Sequence, residues 1–337
     1  MELVSAIKRV TGGGDLNSEE MSSVMRLIMS GASTDAQNAA FLVGLQMKGV
    51  RPAELLGGAS VMRELATLVN VSDHSHLVDT CGTGGSGSNK FTVSTASALG
   101  AATAGAKVAK HGYRGATSKS GSADVLEAAG VSLSLGAKQI GHCIDRVGVG
   151  FMFAPAHHDA MKHVIPARRE IGVRTVFNLL GPLTNPAGAP NQIVGVFDTQ
   201  WIPTILETLK GLGSRHVLVV ASDDGLDEIT ITGDSHVAEL NQGKFSTYEI
   251  NPKHFGIEIA SIEQIVADSP KTSLQMVLDA FNGSKTPVQD MIALNAGSAL
   301  YISGIAKDIK DGIDLAYATM HSGKAAETLA MYVDSSK

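Results

Sequence analysis

Four glycines crowd the six positions Gly82–Gly87, between a short apolar segment, Leu77-Val78, and an alanine-rich run from Thr95 to Ala106. The flanks read as strand and helix, and the joint between them needs the backbone freedom that glycine has. Strand, glycine loop and helix in that order commit this part of the chain to an α/β layer. They also set loop N–H groups beside a helix N-terminus, where an anion can lie. A tight turn without a ligand explains the glycines equally well, and the loop alone leaves both readings open.

The chain on either side divides into two regions. Up to about Val71 the apolar positions follow a helical period and no strand is expected. Asn17-Ser18-Glu19-Glu20, Ser33-Thr34-Asp35-Ala36 and Arg51-Pro52-Ala53-Glu54 each read as a helix start. Residues 1–71 are expected to form a small domain of three or four helices. Beyond it, Val78, Lys107–Lys110, Val131–Leu133 and Val217–Val220 read as short strands alternating with Ala/Gly-rich helices. That alternation implies an α/β class fold with a largely parallel sheet. Asp159 to Leu180 reads as helical again, ending in the turn-rich Gly181-Pro182-Leu183-Thr184-Asn185-Pro186.

Composition excludes several classes of function. At 337 residues, 44% apolar and 18% charged, the chain can bury a large core and has an ordinary globular make-up. A net charge of −6 and 4% aromatic residues argue against nucleic acid and against anionic membranes as partners. Two cysteines without CxxC spacing fit a reducing compartment. The first residues lack a signal-peptide pattern and no uncharged apolar run is long enough to span a bilayer, so a cytoplasmic location is expected.

Three further clusters could carry chemistry. Lys110-His111-Gly112-Tyr113-Arg114 follows a short strand and would bring cations to a sheet edge, although a solvated basic turn has the same composition. Thr117-Ser118-Lys119-Ser120-Gly121-Ser122 precedes a helix over Ala123–Ala128 and serves either as an N-cap or as a second anion cradle. Asp223-Asp224-Gly225-Leu226-Asp227-Glu228 sets four carboxylates in six positions, which suits either a solvated turn or a hard cation such as Mg²⁺. The apolar run before Asp223-Asp224, followed by Thr232-Gly233, loosely imitates the signature of the common phosphoribosyltransferases. Residues 226–231 interrupt that signature, so it is set aside. His157, His158 and His163 lack zinc spacing, and neither GxSxG nor a Walker pattern occurs.

Taken in order, these blocks resemble the anthranilate phosphoribosyltransferase family of tryptophan biosynthesis. The likeness runs along the whole chain. It includes the Gly82–Gly85 loop, Ser94-Thr95, Lys110-His111-Gly112 with Arg114, Ser120-Gly121-Ser122-Ala123-Asp124, Phe153-Ala154-Pro155, His158, Arg168, Phe177-Asn178, Gly181 to Pro186, and Asp227-Glu228. The resemblance implies transfer of the phosphoribosyl group of 5-phosphoribosyl 1-pyrophosphate (PRPP) to the amine of anthranilate, with release of pyrophosphate. It implies a nucleoside phosphorylase-like fold. A small helical domain, residues 1–71, would be completed by helices around 165–190, and residues 72–164 and 191–337 would form the α/β PRPP-binding domain. It also implies a homodimer through the helical domain. By position, Gly82, Thr83, Gly84, Gly85, Ser86, Thr92, Ser94, Thr95, Lys110, Ser118 and Ser122 would hold PRPP. Ser94, Asp227 and Glu228 would hold Mg²⁺, two ions per subunit. Gly82, His111, Tyr113, His158 and Arg168 would line the path of the acceptor, with Arg168 facing its carboxylate. An aromatic amine is already unprotonated at neutral pH, so no general base is assigned.

Three positions depart from the family pattern. Ser86 stands where the family carries Asp, Thr92 where it carries Asn, and Tyr113 where it carries an Asn beside anthranilate. A tyrosine there could narrow the pocket, stack on the acceptor or select a different aromatic amine. Two other readings remain beside these. A nucleoside phosphorylase would not need the Asp227-Glu228 pair, and a non-catalytic nucleic-acid-binding paralogue would need a basic face.

Overall fold

The computed structural model describes residues 1–84, 88–115 and 119–337. Helices α1 (Leu3–Thr11), α2 (Ser18–Met29), α3 (Asp35–Lys48) and α4 (Pro52–Glu64) form the opening bundle. Their starts follow from the sequence. The Asn17 side chain accepts the Glu20 N–H at 2.9 Å and the Glu20 carboxylate accepts the Asn17 N–H at 3.0 Å. Thr34 and Gln37 make the same reciprocal pair at the head of α3. Glu54, in the first turn of α4, is fully buried and accepts the N–H groups of Leu16 and Arg51 together with the Lys48 ammonium. One carboxylate thereby ties together the ends of three segments of the bundle.

The rest of the chain builds one seven-stranded sheet in the order β3-β2-β1-β4-β5-β6-β7. The strands are β1 (Leu77–Gly82), β2 (Lys107–Gly112), β3 (Val149–Phe153), β4 (Asn191–Gly195), β5 (His216–Ser222), β6 (Ser235–Asn241) and β7 (Lys244–Ile250). The first five in spatial order are parallel, and β6 and β7 close one edge as an antiparallel hairpin. Its two-residue turn, Gln242-Gly243, has φ of 48° and 84°, the doubly left-handed geometry that matches strand twist.

The remaining helices are α5 (Val93–Thr103), α6 (Ser122–Ala128), α7 (Ala137–Val147), α8 (Ala154–His157), α9 (Ile165–Ile171), α10 (Val176–Leu180), α11 (Ile202–Gly211), α12 (Pro270–Phe281), α13 (Pro287–Ser303), α14 (Ile309–His321) and α15 (Lys324–Ser335). Strand periodicity of two sends alternate side chains of β5 to opposite layers. Val217, Val219 and Ala221 join the cluster that contains the opening bundle, α10 and α11. Leu218 and Val220 join the cluster built on α5, α12 and α13. A small helical domain therefore leads into a larger α/β domain with a mostly parallel sheet, as expected.

Two details of the sequence reading are corrected. Val131–Leu133 is not a strand. Gly130, with φ of 95°, ends α6, and Val131 turns back to bond the Leu126 carbonyl before plugging into the core. Val149–Phe153 is the edge strand instead. The helix after the glycine loop begins at Val93 and stops at Thr103, so Lys107 starts β2 after a short turn. Among the described residues, no helix is long and apolar enough to cross a membrane.

Candidate active site

The C-terminal ends of β1 and β2 meet the loop after β5 at one cleft, the position where ligands gather in open α/β sheets. Gly82, the last residue of β1, pairs with Gly195 of β4. Both must lack a side chain. A Cβ on Gly82 would overlap the Asp227 carboxylate, with its Cγ only 3.0 Å away, and a Cβ on Gly195 would overlap the Asp227 backbone. The paired glycines open a slot at the sheet edge through which the loop after β5 carries Asp227 into the cleft. The Gly84 N–H then donates to Asp227 Oδ2 at 2.8 Å, so one of the loop donors expected to face an anion holds this carboxylate.

Lys90 completes the cluster. Its ammonium lies 2.8 Å from Asp227 Oδ1 and 2.8 Å from Glu228 Oε2, and all three side chains are at most 12% exposed. Burial favours the neutral forms, and charge pairing opposes it. For Asp227, burial is outweighed by the Lys90 charge and by hydrogen bonds from Lys90 and Gly84, which hold it below the usual carboxylate range. For Glu228, burial and the neighbouring Asp227 charge win over Lys90 and push it up to about 8. Burial works against the Lys90 cation, but the two acids outweigh it and raise its pKa.

The cleft encloses about 320 Å³. Gly82, Thr83, Gly84, Thr92, Ser94, Lys110, His111, Tyr113, Ser122, Asp227 and Glu228, all expected at the site, line it. Its described lining holds four cationic side chains, Lys90, Lys110, Arg114 and Arg174, against two carboxylates. Lys90 and Arg114 are each paired with two acidic side chains, so the positive charge offered to an anionic ligand centres on Lys110. The Lys110 ammonium, almost fully buried, donates to the Thr80 carbonyl at 2.5 Å. Arg114 is committed to Asp124 and Glu127 on α6. That helix is capped by Asp124, which accepts the N–H groups of Gly115 and Gly121, leaving Ser122 as its first residue at the cleft wall. Thr92 sits in a cluster of hydroxyls. Its N–H donates to Ser273 Oγ at 3.0 Å and its own hydroxyl meets Ser120 at 3.4 Å.

His111 lines the cleft and His158 packs behind it, ring centres 5.3 Å apart. Burial, then the charges of His158 and Lys110, keep His111 well below its ordinary pKa. Burial and His157 lower His158 to about 4 against an opposing backbone hydrogen bond at Thr184. Both rings are neutral at pH 7, and their Nε2 atoms lack hydrogen-bond partners among the described residues. Tyr113 does not plug the cleft. It stands at the rim, 54% exposed, with its ring stacked on Phe153 at 5.8 Å.

Thr95, His158 and Arg168 do not line the cleft. Thr95 is buried in α5, and the Arg168 guanidinium lies 5.3 Å from the centre of the Phe177 ring. Gly85, Ser86 and Ser118 lie outside the described residues. The sequence reading passed over Lys90 and Arg174 and quoted Asn178 without giving it a site role, and all three line the cleft. Lys90 had a signal, because it is the only charged residue between Asp79 and Lys107.

Comparison with known proteins identifies the family. Residues 4–66 match the helical bundle domain of a glycosyl transferase family and residues 74–326 match its a/b domain. The chain belongs to that glycosyl transferase family, and its fold is that of the phosphoribosyltransferases. It is 52% identical over 333 residues to anthranilate phosphoribosyltransferase of Thioalkalivibrio sulfidiphilus, covering 99% of this chain and 98% of the relative. The counterpart in Alkalilimnicola ehrlichii is also 52% identical over 333 residues, with the same coverage. Among solved structures, anthranilate phosphoribosyltransferase from Thermus thermophilus superposes with a TM-score of 0.92 at 40% identity, covering 98% of each chain. The Saccharomyces cerevisiae enzyme in complex with PRPP and Mg gives 0.90 at 26% identity, covering 99% of this chain and 97% of its own. Within the glycosyl transferase family, the chain is a member of the anthranilate phosphoribosyltransferases.

Proposed function

We propose that this protein transfers the 5-phosphoribosyl group of PRPP to the amine of anthranilate, releasing pyrophosphate, as a step of tryptophan biosynthesis. The observation that carries the reading is the convergence of Gly82–Gly84, Ser94, Lys110, Ser122 and the Asp227-Glu228 pair on one cationic cleft at the sheet edge. The yeast relative solved with PRPP and Mg supports the choice of donor and metal.

In this reading the loop from Gly82 through Ser86, with Thr92, Ser94, Thr95, Lys110, Ser118 and Ser122, holds the phosphates of PRPP. Departure of pyrophosphate leaves an electron-poor ribose carbon, so catalysis consists of positioning the two substrates and offsetting charge on the leaving group. Lys110 supplies a fixed positive charge at that end. Neutral His111, backed by neutral His158, offers a hydrogen bond, not charge, to the acceptor, whose amine needs no base. By the resemblance Arg168, which stands beside Phe177 outside the cleft lining, would pair with the carboxylate of anthranilate, and Tyr113 would form the outer wall of its path.

Lys90 already fills the point between Asp227 and Glu228, and the acid oxygens it leaves, with Ser94 on the same lining, would form a hard-oxygen donor set for Mg²⁺ completed by substrate phosphate. When bound, Mg²⁺ would offset charge on pyrophosphate there. The resemblance implies two such ions per subunit. We also take residues 1–71, with the helices around 165–190, as the small domain. We propose that this domain forms a homodimer contact, supported by exposed Val4 and Met47 on α1 and α3, and that the protein is cytoplasmic.

The test is loss of anthranilate fluorescence on mixing protein, PRPP and Mg²⁺. Turnover that needs all three supports the reaction. No consumption of anthranilate, with turnover of another aromatic amine, refutes the assignment of acceptor.

A further inference from the structure

We infer that Lys90 is a resident cation of the acid pair and takes the place of one of the two divalent ions expected there. This rests on the phosphoribosyl-transfer reading for its purpose, but not for its geometry. The Lys90 ammonium lies 2.8 Å from an oxygen of each carboxylate, so it occupies the point between Asp227 and Glu228 where a bridging ion would bind. Mg²⁺ bridging the same two oxygens would stand about 2.0–2.1 Å from each, inside the volume of the ammonium. The two cations exclude each other at that point.

Lys90 is also held in place by its backbone. Residues on both sides of it are bonded to the segment before α12. The Phe91 N–H donates to the Ile265 carbonyl at 2.8 Å, the Ala267 N–H donates to the Asn89 carbonyl at 2.7 Å, and Lys90 itself bridges to Val266. Phe91 is fully buried beside it. Swinging the ammonium out would abandon the buried Asp227 carboxylate without moving the chain that carries Lys90, and an unpaired buried charge is strongly disfavoured. The Asp227 carboxylate is further fixed by the Gly84 N–H, which leaves it less free to rearrange around a second metal. Lys90 thus acts as a positioning residue. It keeps the acid pair in place and adds a permanent positive charge beside the cleft that receives pyrophosphate.

The inference is tested by counting Mn²⁺ bound to the full chain by electron paramagnetic resonance, with and without PRPP, in wild type, Lys90→Met and Lys90→Arg. With PRPP, wild type and Lys90→Arg should bind about one ion per subunit and Lys90→Met about two. Without PRPP, Lys90→Met should bind Mn²⁺ roughly 100-fold more tightly than wild type, the scale of repulsion between cations a few ångströms apart in a partly screened site. Two ions per wild-type subunit with PRPP, or Mn²⁺ affinity without PRPP that ignores Lys90, overturns it. The wild-type count decides the matter even if Lys90→Met fails to fold. If PRPP does not bind, the titration without it decides. A wild type that ignores anthranilate while its ion count follows Lys90 would sink the proposed reaction and leave this inference standing. Anthranilate turnover with two ions bound would do the reverse.

Discussion

Gly82→Ala is the substitution whose effect can be worked out most fully from the structure. A methyl group at this position would overlap Asp227 Oδ2 and stand 3.0 Å from Cγ and 3.2 Å from the backbone oxygen of the same residue. Ordinary contact needs a carboxylate retreat on the order of 1 Å, because β1 is locked in the middle of the sheet. That movement breaks the Gly84 N–H bond to Oδ2 and stretches the Lys90 pair at Oδ1, both now 2.8 Å. A charge-assisted hydrogen bond lost in a buried site costs about 1.5–3 kcal/mol, and overpacking about 1–3 kcal/mol. Partial relaxation brings the total to roughly 3 kcal/mol, a fall in Tm of about 6 °C for a domain of this size. Thermal unfolding reads the stability, and anthranilate consumption over a Mg²⁺ titration reads the site, where the half-saturating Mg²⁺ concentration should rise about tenfold. Gly84→Ala is the comparison for stability. Among the described residues a Cβ there meets no atom within 4 Å, so the cost expected is that of φ of +66°, about 1 kcal/mol. If Gly82→Ala melts with wild type, or no lower than Gly84→Ala, the claim that this glycine exists to admit Asp227 is refuted.

Removing the ammonium of Lys48 leaves Glu54 buried with backbone partners only, so Lys48→Met should lose about 3 kcal/mol in denaturant unfolding, and an unchanged midpoint would contradict this. His158 is neutral when folded down to about pH 4 but takes a proton near 6.5 when unfolded, so it stabilises fully above 6.5 and progressively less as pH falls to 4. His158→Asn should therefore be matched by wild type at low pH and lose ground to it by about 3 kcal/mol on going from pH 4 to 7, and a pH-independent difference in unfolding free energy would refute the burial argument. Tyr113→Ala removes the rim stack on Phe153 from an exposed position, so stability should change by less than about 1 kcal/mol while KM for anthranilate rises several-fold and KM for PRPP holds. Equal changes in both KM values would show that Tyr113 is not part of the acceptor wall.

The sequence was most readable where structure is decided by neighbours in the chain. Asn17 with Glu20 and Thr34 with Gln37 announce helix starts because a cap bonds to residues three positions away. Gly82–Gly87, Lys110-His111 and Asp227-Glu228 were visible as separate clusters because each concentrates one kind of chemistry in a few positions. Val131–Leu133 misled because a buried loop residue next to a helix end is as apolar as a strand, and only pairing distinguishes them. The β6–β7 hairpin and the edge strand Val149–Phe153 likewise take their identity from a partner strand.

On its own, then, the sequence determined the two-part fold class, the family to which the chain belongs and about half of the side chains that line the cleft. Tertiary structure decided what those side chains do to one another. Lys90 and Asp227 are 137 positions apart, and only the order β1-β4-β5 brings the loop carrying Asp227 over the glycine pair and against the ammonium. The Gly84 N–H, expected to face an anion, instead anchors the Asp227 carboxylate, and the stack on Phe153 sets Tyr113 at the rim of the cleft. The physical reason is that propensity and capping act over a few residues, whereas charge pairing and steric exclusion depend on distance in space, which only the packed chain fixes.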